Sequence, residues 1–205
     1  MRFLIAFGPT QEPLDPVRFL SNRSTGTIGR YLVSAARKKG HRVEAVECPK
    51  DVQTARDLEK KLKKSLPKND VLIMAAAVCD VRPRLVSAMK LKKDKLLTVH
   101  MVRNPDILAG LARQKKKNQI FIGFGLESEK VIAGGFQKLK QKNLELIVLH
   151  QVKEKLLPFG DRPVDAAFLY KDQTVKKWKA LRKEKLARIL IGEAERLAGR
   201  LSGEK

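Results

Sequence analysis

The chain has few of the residues from which metal sites and disulfide frameworks are built. It contains two cysteines and three histidines. Cys48 and Cys79 lack CxxC spacing, and no cluster of histidines lies near either of them. Metal-binding and disulfide-stapled domains usually show paired cysteines or regularly spaced Cys and His residues. The sequence therefore predicts no protein-built metal site, so no metal ligands are assigned, and no disulfide framework.

Long apolar runs are also missing. The longest, Val71–Cys79, is far shorter than the roughly 20 residues that a helix needs to cross a bilayer. The N-terminus, Met1–Leu4, lacks the apolar core and the cleavage site of a signal peptide. We therefore expect no membrane partner and a cytoplasmic location. Hydrophobic residues still make up 43% of the 205 residues, so one domain over 1–205 is expected.

Acidic and aromatic residues are scarce as well. Lys and Arg total 44 against 22 Asp and Glu, which gives a formal net charge of +22, and aromatic residues make up only 5%. Such a charge is typical of nucleic-acid binding, of attraction to small polyanions, or of a heavily charged solvated surface. Stacking platforms for bases need aromatic side chains, and no RNA-binding or zinc-finger motif is present. Nucleic acid is therefore disfavoured as a partner, although the charge alone would favour it.

What the sequence does contain is an alternation of strand and helix patterns. The first five segments are Phe3–Phe7, Thr27–Lys39, Arg42–Glu47, Thr54–Lys64 and Asp70–Ala77. This βαβαβ order predicts an α/β fold, a doubly wound, mostly parallel Rossmann-like sheet with helices on both faces. Further strands are expected at Ile120–Gly125, Leu144–His150 and Ala166–Tyr170. Further helices are expected at Glu129–Lys142, interrupted at Gly134-Gly135, and at Trp178–Leu201.

Two segments are too long and too polar to be simple connections. Gly8–Gly29, with the sequence GPTQEPLDPVRFLSNRSTGTIG, follows the first strand, where about two to six residues usually suffice. The second, Cys79–Met101, carries the lysine cluster Lys90–Lys93 and a β-like run at Leu96–Met101. We interpret this second segment as a flap over a site.

The residues that follow the strands predict one pocket. In an open parallel sheet, ligands bind outside the carboxyl ends of the strands, at the switch point in strand order. The segments at those ends are Gly8–Thr10, Ala77–Asp80, Gly123–Glu127 and His150. Behind the flap, Asn104 is predicted to N-cap a helix with Pro105 at its first position and Asp106 in its first turn. The GxGxxG and P-loop motifs are absent, so the fold alone does not identify the ligand.

Five segments, in this order and at these distances, resemble one known family. They are Gly8–Gly29, Ala75–Asp80, Lys90–Lys93, Asn104–Leu108 and Gly123–Ser128. The set resembles the phosphopantothenate–cysteine ligases (phosphopantothenoylcysteine synthetases), the ligase half of the bifunctional coenzyme A biosynthesis flavoprotein. The similarity runs from about Met1 to Tyr170, and DPVRFLSNRSTG is its most specific part. Without a flavin decarboxylase half before it, the chain is expected to be either a stand-alone ligase or an excised domain.

The resemblance implies a two-step reaction. The carboxylate of 4′-phosphopantothenate attacks the α-phosphate of a nucleoside triphosphate, usually CTP in bacteria and otherwise ATP, and pyrophosphate leaves. The amine of cysteine then attacks the acyl-nucleotide, and the monophosphate leaves. A lysine-rich pocket suits polyanionic substrates, and Mg²⁺ is expected to help cancel their repulsion. The family is dimeric, and the run Leu96–Met101 is expected to reach a partner's sheet in a homodimer.

The resemblance also implies roles for individual residues. Asn22 and Lys90 are expected to be catalytic, with Asn22 donating to the carbonyl of the acyl-nucleotide and Lys90 meeting the phosphates. The expected nucleotide-binding residues are Asp80, Asn104, Pro105, Asp106, Ile107, Leu108, Phe124, Lys138 and Lys142. Arg18 and Arg23 are expected to bind the phosphate of phosphopantothenate. Plain structural alternatives stay open: a helix-start cap for Asn22, a turn for Asp80, and solvated positions for the lysines. Cys79 is interpreted as a small filler, not a nucleophile.

The chain departs from the family at three places. Pro9 stands where a glycine is usual and removes a backbone donor. The acidic-threonine ending after the fourth strand is here Leu126-Glu127-Ser128, and His150 stands where asparagine is common.

Two other function classes remain open. One is a basic nucleic-acid-binding module on a Rossmann-like scaffold, which the charge alone would favour. The other is a dinucleotide-dependent reductase, which the fold alone would favour.

Overall fold

The computed structural model describes residues 1–127, 131–151 and 158–203. The strands are β1 (Arg2–Pro9), β2 (Gln11–Pro13), β3 (Phe19–Ser21), β4 (Arg42–Glu47), β5 (Val71–Ala77), β6 (Val81–Pro83), β7 (Met101–Arg103), β8 (Ile120–Glu127), β9 (Leu146–Gln151), β10 (Val164–Tyr170) and β11 (Val175–Leu181). The helices are α1 (Thr27–Lys38), α2 (Ala55–Ser65), α3 (Ile107–Ala112), α4 (Val131–Gln141) and α5 (Lys183–Ser202), with short 3₁₀ turns at Leu66–Lys68 and Lys93–Leu96.

Seven strands form the central sheet, in the order β11-β10-β9-β8-β5-β1-β4. Strand β1 pairs in parallel with β4 on one side and β5 on the other, and β8 and β9 continue the parallel order. Strands β10 and β11 close that edge in antiparallel pairing. The chain therefore leaves β1 in one direction and returns to its other side at β5, which is the switch point in strand order. The predicted fold class is confirmed.

Helices cover both faces of the sheet, because successive side chains of a strand point to opposite faces. In β1, Phe3 and Ile5 pack in the core cluster that contains residues of α1 and α5. Leu4 and Ala6 pack in the second cluster, with residues of α2, α3 and α4. All four side chains are fully buried. A central strand enclosed in this way reads as a continuous apolar run, which is the pattern in the sequence.

Two glycines allow close approaches to β1. Gly8 has φ +83°, and a Cβ there would lie 2.1 Å from the backbone oxygen of Cys48. At Gly29, a Cβ would lie 2.1 Å from Cβ of Phe7. Gly8 lets β1 pass close to the backbone of Cys48, which follows β4, and Gly29 lets α1 lie directly on β1.

Two small hairpins stand beside the sheet. Strand β2 pairs with β3 inside the first loop, and β6 pairs with β7 at the base of the flap. The predicted strand Leu96–Met101 is wrong, since only Met101 belongs to a strand and that strand pairs within the chain. The expected contact of this run with a partner's sheet stays a prediction.

The predicted C-terminal helix starts too early. Trp178 lies in β11, where its ring packs on Phe168 with centroids 4.6 Å apart, and the helix begins at Lys183. Trp178 and Leu181 fall at spacings that also fit a helix, so the pattern could not separate the two elements. Helix α4 runs through Gly134-Gly135 without interruption. Its predicted start at Glu129 lies outside the described residues.

No helix in the described part of the chain is long and apolar enough to span a bilayer.

Candidate functional site

A cavity of about 740 Å³ opens at the carboxyl ends of β5 and β8. The residues before and at the start of α1, the start of α3, helix α4 and the start of α5 complete its wall. The predicted site residues on this wall are Asn22, Asp80, Asn104, Pro105, Asp106, Ile107, Leu108, Phe124, Lys138 and Lys142. The cavity thus lies at the switch point, where ligands bind in folds of this class.

The segment Gly8–Thr10 does not line the cavity, contrary to expectation. Thr10 is fully buried, and its Oγ1 accepts the backbone N–H of Cys79 at 3.0 Å. The backbone N–H of Thr10 donates to Ala77 at 3.2 Å. This part of the first loop therefore holds the turn after β5 in place and forms no part of the wall.

Asn22 joins the first loop to the end of β5. Its side chain is exposed to the cavity side, and Nδ2 donates to the backbone oxygen of Ala77 at 3.0 Å. The hydrogen bond orients the amide beside the strand end. The predicted catalytic role of Asn22 remains a prediction, and the alternative of a helix-start cap is wrong, since the N-cap of α1 is Gly26 without a side-chain bond.

The N-terminus of α1 faces the cavity through Ser24, Thr25, Gly26, Thr27 and Ile28. No side chain caps it, and no acidic residue lies in its first turn. The first N–H groups of a helix lack partners within the helix and carry a partial positive charge. An end of this kind suits a phosphate or a carboxylate.

Asn104 was expected to cap α3, and this is wrong. The N-cap is Asp106, whose Oδ1 accepts the N–H of Ala109 at 3.1 Å. Asn104 uses both ends of its amide elsewhere: Nδ2 donates to the backbone oxygen of Cys79 at 2.9 Å, and Oδ1 accepts from Arg82 Nη1 at 3.1 Å. It therefore ties the turn after β5 to the base of the flap.

Two lysines, Lys138 of α4 and Lys142 in the turn that follows it, line the wall in ion pairs. Lys138 Nζ lies 2.5 Å from Glu127 Oε1, and Lys142 Nζ lies 3.0 Å from Asp106 Oδ2. Their spacing of four residues puts them on one face of the helix. Partly exposed pairs of this kind contribute little to stability, so a phosphate can compete for these ammonium groups at small cost.

Asp80 presents a carboxylate without a partner. Its side chain is exposed on the cavity wall, and no hydrogen bond or ion pair to that carboxylate is found within residues 1–127, 131–151 and 158–203. The backbone oxygen of Asp80 accepts the N–H of Asn104 at 2.8 Å. The turn at this position is thus made by the backbone, and the carboxylate is left available to a ligand.

His150 and Lys183 also line the cavity, and both are buried. Burial lowers the pKa of His150 to about 4, with the hydrogen bond at 3.3 Å to the backbone oxygen of Asp165 opposing this and the charge of Lys183 adding to it. Lys183 Nζ donates to the backbone oxygens of Pro158, at 2.7 Å, and Gly160. Burial also lowers the pKa of Lys183. The sequence analysis missed Lys183 because it was placed inside the last helix pattern, where a lysine carries no signal.

Three predicted site residues do not line the cavity. Lys90 is exposed on the flap, Arg23 is exposed in the first loop, and Arg18 pairs with Asp15 at 2.9 Å. Their contacts with phosphate therefore remain predictions that the cavity geometry does not support.

Cys79 is buried at the edge of the cavity. Burial raises the pKa of its thiol, and Sγ donates to the backbone oxygen of Thr10 at 3.6 Å. Because the thiolate is the nucleophilic form, this environment suits a small packing residue.

Comparisons with known proteins agree on one family. A family model described as DNA/pantothenate metabolism flavoprotein C-terminal domain matches residues 1–197. The coenzyme A biosynthesis bifunctional protein CoaBC of Escherichia coli strain K12 is 35% identical over 208 residues, which cover 94% of this chain and 51% of that protein. A cysteine/cysteine sulfinic acid decarboxylase from an unknown prokaryotic organism is 34% identical over 203 residues, which cover 93% and 56%.

A solved structure extends the comparison to the fold. The crystal structure of the C-terminal domain of a coenzyme A biosynthesis bifunctional protein CoaBC has a TM-score of 0.78 and 28% identity, and the match covers 96% of this chain and 94% of that one. The chain spans about half the length of the curated relatives it matches.

Proposed function

The chain belongs to the DNA/pantothenate metabolism flavoprotein C-terminal domain family, and from this premise we propose that it joins 4′-phosphopantothenate to cysteine as a phosphopantothenate–cysteine ligase. The observation that carries the proposal is the make-up of the cavity wall. An uncapped helix N-terminus, the amide of Asn22 and the ammonium groups of Lys138 and Lys142 surround one space at the switch point.

The reaction proceeds in two steps. A carboxylate oxygen of phosphopantothenate forms a bond to the α-phosphorus of the triphosphate, and the bond from that phosphorus to the pyrophosphate oxygen breaks. The amine of cysteine then adds to the acyl carbonyl and loses a proton, and the nucleoside monophosphate leaves. Neither step needs a serine or cysteine nucleophile from the protein.

Charge is the main obstacle to the first step. A carboxylate must approach a triphosphate, and two anions repel each other strongly in a cavity of low dielectric constant. The N-terminus of α1 and the ammonium groups of Lys138 and Lys142 supply positive charge at the wall, where fixed groups stabilise charge that develops in a transition state. Asn22 Nδ2 is a donor for the acyl carbonyl oxygen in the second step. The flap residue Lys90 is proposed to approach the phosphates from outside the wall.

The nucleotide is proposed to lie against the α3 side of the cavity. Phe124 offers an aromatic ring on the cavity wall, and Ile107 and Leu108 are buried apolar residues that line the same cavity. These residues suit the base of the nucleotide, whereas Lys138 and Lys142 suit the phosphates of the nucleotide. CTP is the proposed nucleotide, with ATP as the alternative, because the resemblance implies CTP in bacteria.

A Mg²⁺ ion is proposed to enter with the triphosphate. Mg²⁺ is usually held by one or two carboxylates and by substrate phosphates, not by a cage of protein ligands. Asp80 offers one exposed carboxylate on the wall. Within the described ranges, no three His, Cys, Asp or Glu side chains group as a metal site. A single exposed carboxylate fits an ion that is held mainly by the nucleotide. The ion would neutralise part of the phosphate charge.

A homodimer is the proposed assembly. Seven of the ten large apolar residues that are exposed in the described chain lie on the β2–β3 hairpin and on the flap. They are Val17, Phe19, Leu85, Val86, Met89, Leu97 and Met101. The two segments adjoin, since the N–H of Ser87 donates to the backbone oxygen of Leu14 at 3.0 Å. Grouped exposed apolar residues mark contact surfaces, and a second copy of the chain is the proposed occupant.

A pyrophosphate-release assay tests the function. Phosphopantothenate, Mg²⁺ and either CTP or ATP are supplied with and without cysteine. We expect pyrophosphate release that depends on phosphopantothenate, and monophosphate release that also depends on cysteine. If neither triphosphate yields pyrophosphate, the proposal fails. Binding to tRNA or heparin that falls steeply with salt, without turnover, would favour the nucleic-acid-binding alternative.

Asn22→Asp separates the two steps. The carboxylate cannot donate to the acyl carbonyl at neutral pH, so we expect the acyl-nucleotide either to accumulate or to fail to form, with a loss of roughly 100-fold in overall rate. Quenched-flow analysis of nucleotide products measures both. Asn118→Asp, at an exposed turn, is the matched control. Unchanged kinetics in Asn22→Asp would remove Asn22 from the mechanism.

A further inference from the structure

A buried carboxylate lies outside the cavity, in the loop of the β2–β3 hairpin. The side chain of Asp15 has no solvent exposure. Its Oδ1 accepts the backbone N–H groups of Val17 and Arg18, both at 2.8 Å, and so shapes the hairpin loop. Its Oδ2 is turned to the flap and accepts the backbone N–H of Leu91 at 3.1 Å.

Arg18 holds the same flap residue from the other side of its backbone. Arg18 Nη2 pairs with Asp15 Oδ2 at 2.9 Å and donates to the backbone oxygen of Leu91 at 2.8 Å. Both backbone groups of Leu91 are therefore bound by one ion pair. The bond from Ser87 to Leu14 joins the flap and the hairpin a second time. We refer to Asp15 and Arg18 together as the clamp.

The clamp is charged at neutral pH. Burial alone would raise the pKa of Asp15, but the hydrogen bonds from Val17, Leu91 and Arg18, together with the charge of Arg18, hold this pKa below its ordinary value. Hydrogen bonds to ionised groups are shorter and stronger than those between neutral groups. The clamp thus fixes one residue of an otherwise exposed segment, through the peptide groups on both of its sides, more firmly than a backbone contact would.

The clamped residue lies next to the flap lysines. Leu91 follows Lys90 and precedes Lys92, and both lysines are exposed. We propose that Asp15 and Arg18 are positioning residues that hold the flap at Leu91 and thereby set the location of Lys90, a role that rests on the proposed ligase function. Arg18 was expected to contact the substrate directly, but it lies off the cavity wall. Its role in the clamp accounts for this position.

Limited proteolysis with trypsin tests the clamp without substrate. The variants are Arg18→Met, Asp15→Asn and Leu91→Pro, and cleavage after Lys92 and Lys93 is followed by mass spectrometry. We expect flap cleavage about tenfold faster than in the wild type, because cleavage follows the free energy of local opening. Arg200→Met, which breaks an exposed arginine–aspartate pair with Asp172, is the matched control and should leave the rate unchanged.

Leu91→Pro keeps the test decisive if the hairpin variants fail to fold. It removes the N–H that donates to Asp15 and fixes φ at residue 91, in an exposed segment with no part in the core. Flap cleavage at the wild-type rate in the folded variants overturns the clamp.

A double-mutant cycle tests the link to Lys90. Arg18→Met is expected to lower kcat by about 10- to 100-fold, as a misplaced catalytic group would, and Arg18→Lys to recover part of that loss. In the Lys90→Gln background, the same Arg18→Met change should cost less than about threefold, because residues that act through one another are not additive. Additive losses, or a loss confined to KM for phosphopantothenate, would overturn the proposal and favour direct substrate contact.

The two readouts separate the clamp from the ligase function. A wild-type protein that releases no pyrophosphate removes the proposed function, whereas the proteolysis still decides whether Asp15 and Arg18 hold the flap.

Discussion

Single residues in this site owe their properties to their surroundings. His150 is a plain example, because it is buried on the cavity wall beside Phe124, with ring centroids 6.0 Å apart, and near the charge of Lys183. An imidazolium here would be desolvated and repelled. The ring is therefore neutral across the physiological pH range. A neutral imidazole suits a packing role in the cavity wall and does not suit a proton donor at pH 7.

This neutral state gives the stability of the fold a pH dependence. The pKa of His150 is lowered from 6.5 to about 4, so the unfolded chain takes up a proton below about pH 6.5 that the folded chain refuses until about pH 4. The contribution is fully present above 6.5 and is lost as pH falls through this window, by about 2 kcal/mol at pH 5.

Urea denaturation at pH 7.5 and pH 5 measures that loss. We expect His150→Asn to lose about 2 kcal/mol less than the wild type between the two pH values. His100→Asn, at an exposed histidine of the flap, should follow the wild type. Equal pH dependence in the wild type and His150→Asn would contradict this account.

Whole elements are placed by close approaches that a sequence pattern does not reveal. Helix α1 presents its N-terminus to the cavity only because Gly29 lets the helix lie against Phe7 of β1. Gly199 in α5 has the same local setting in the sequence, a glycine within a helix, but a Cβ there would meet nothing within 4 Å. Close packing therefore requires glycine at position 29 but not at position 199.

Alanine at each glycine separates close packing from helix propensity. Gly29→Ala is expected to lower the free energy of unfolding by about 3 kcal/mol, since overlap with the side chain of a central strand forces α1 to shift. Gly199→Ala is expected to be neutral or to raise it by up to about 1 kcal/mol. Equilibrium denaturation measures both, and a neutral Gly29→Ala would show that α1 can move at no cost.

At the scale of the whole molecule, the exposed apolar side chains are grouped, and the chain has a large excess of positive charge. The β2–β3 hairpin and the flap hold most of the exposed apolar side chains, and the formal net charge is +22. The charge opposes association of two copies, so an apolar surface is needed to hold a dimer together. The same charge would attract the polyanionic substrates of the proposed reaction.

The proposed homodimer is tested at this scale. Met89→Asp with Leu97→Asp places two carboxylates in the exposed apolar group, and we expect the wild type at twice the chain mass and this variant at the chain mass in light scattering. Leu201→Asp, at an exposed leucine near the end of α5, is the control and should remain dimeric. A monomeric wild type, or a double variant that stays dimeric, would reject this surface.

The sequence by itself determined the elements whose signal is local. The apolar alternation of β1, the buried run of β5 and the amphipathic pattern of α1 each predicted the right element, because burial on both faces or on one face imposes a period on the chain. Motif order likewise predicted the family. The stretch that became β11 was misread because Trp178 and Leu181 are three residues apart, as on one face of a helix, and a register shift in β11 brings both to the same core cluster.

Only the tertiary structure decided which residues meet. Lys183 reaches the cavity wall from the start of α5, Asn104 ties two turns together in place of capping a helix, and Arg18 holds the flap outside the cavity. Each outcome depends on contacts between segments far apart in the chain, which no local pattern encodes. A side chain of a given type can therefore cap a helix, bind a ligand or position another segment. Long-range packing decides which of these roles it has.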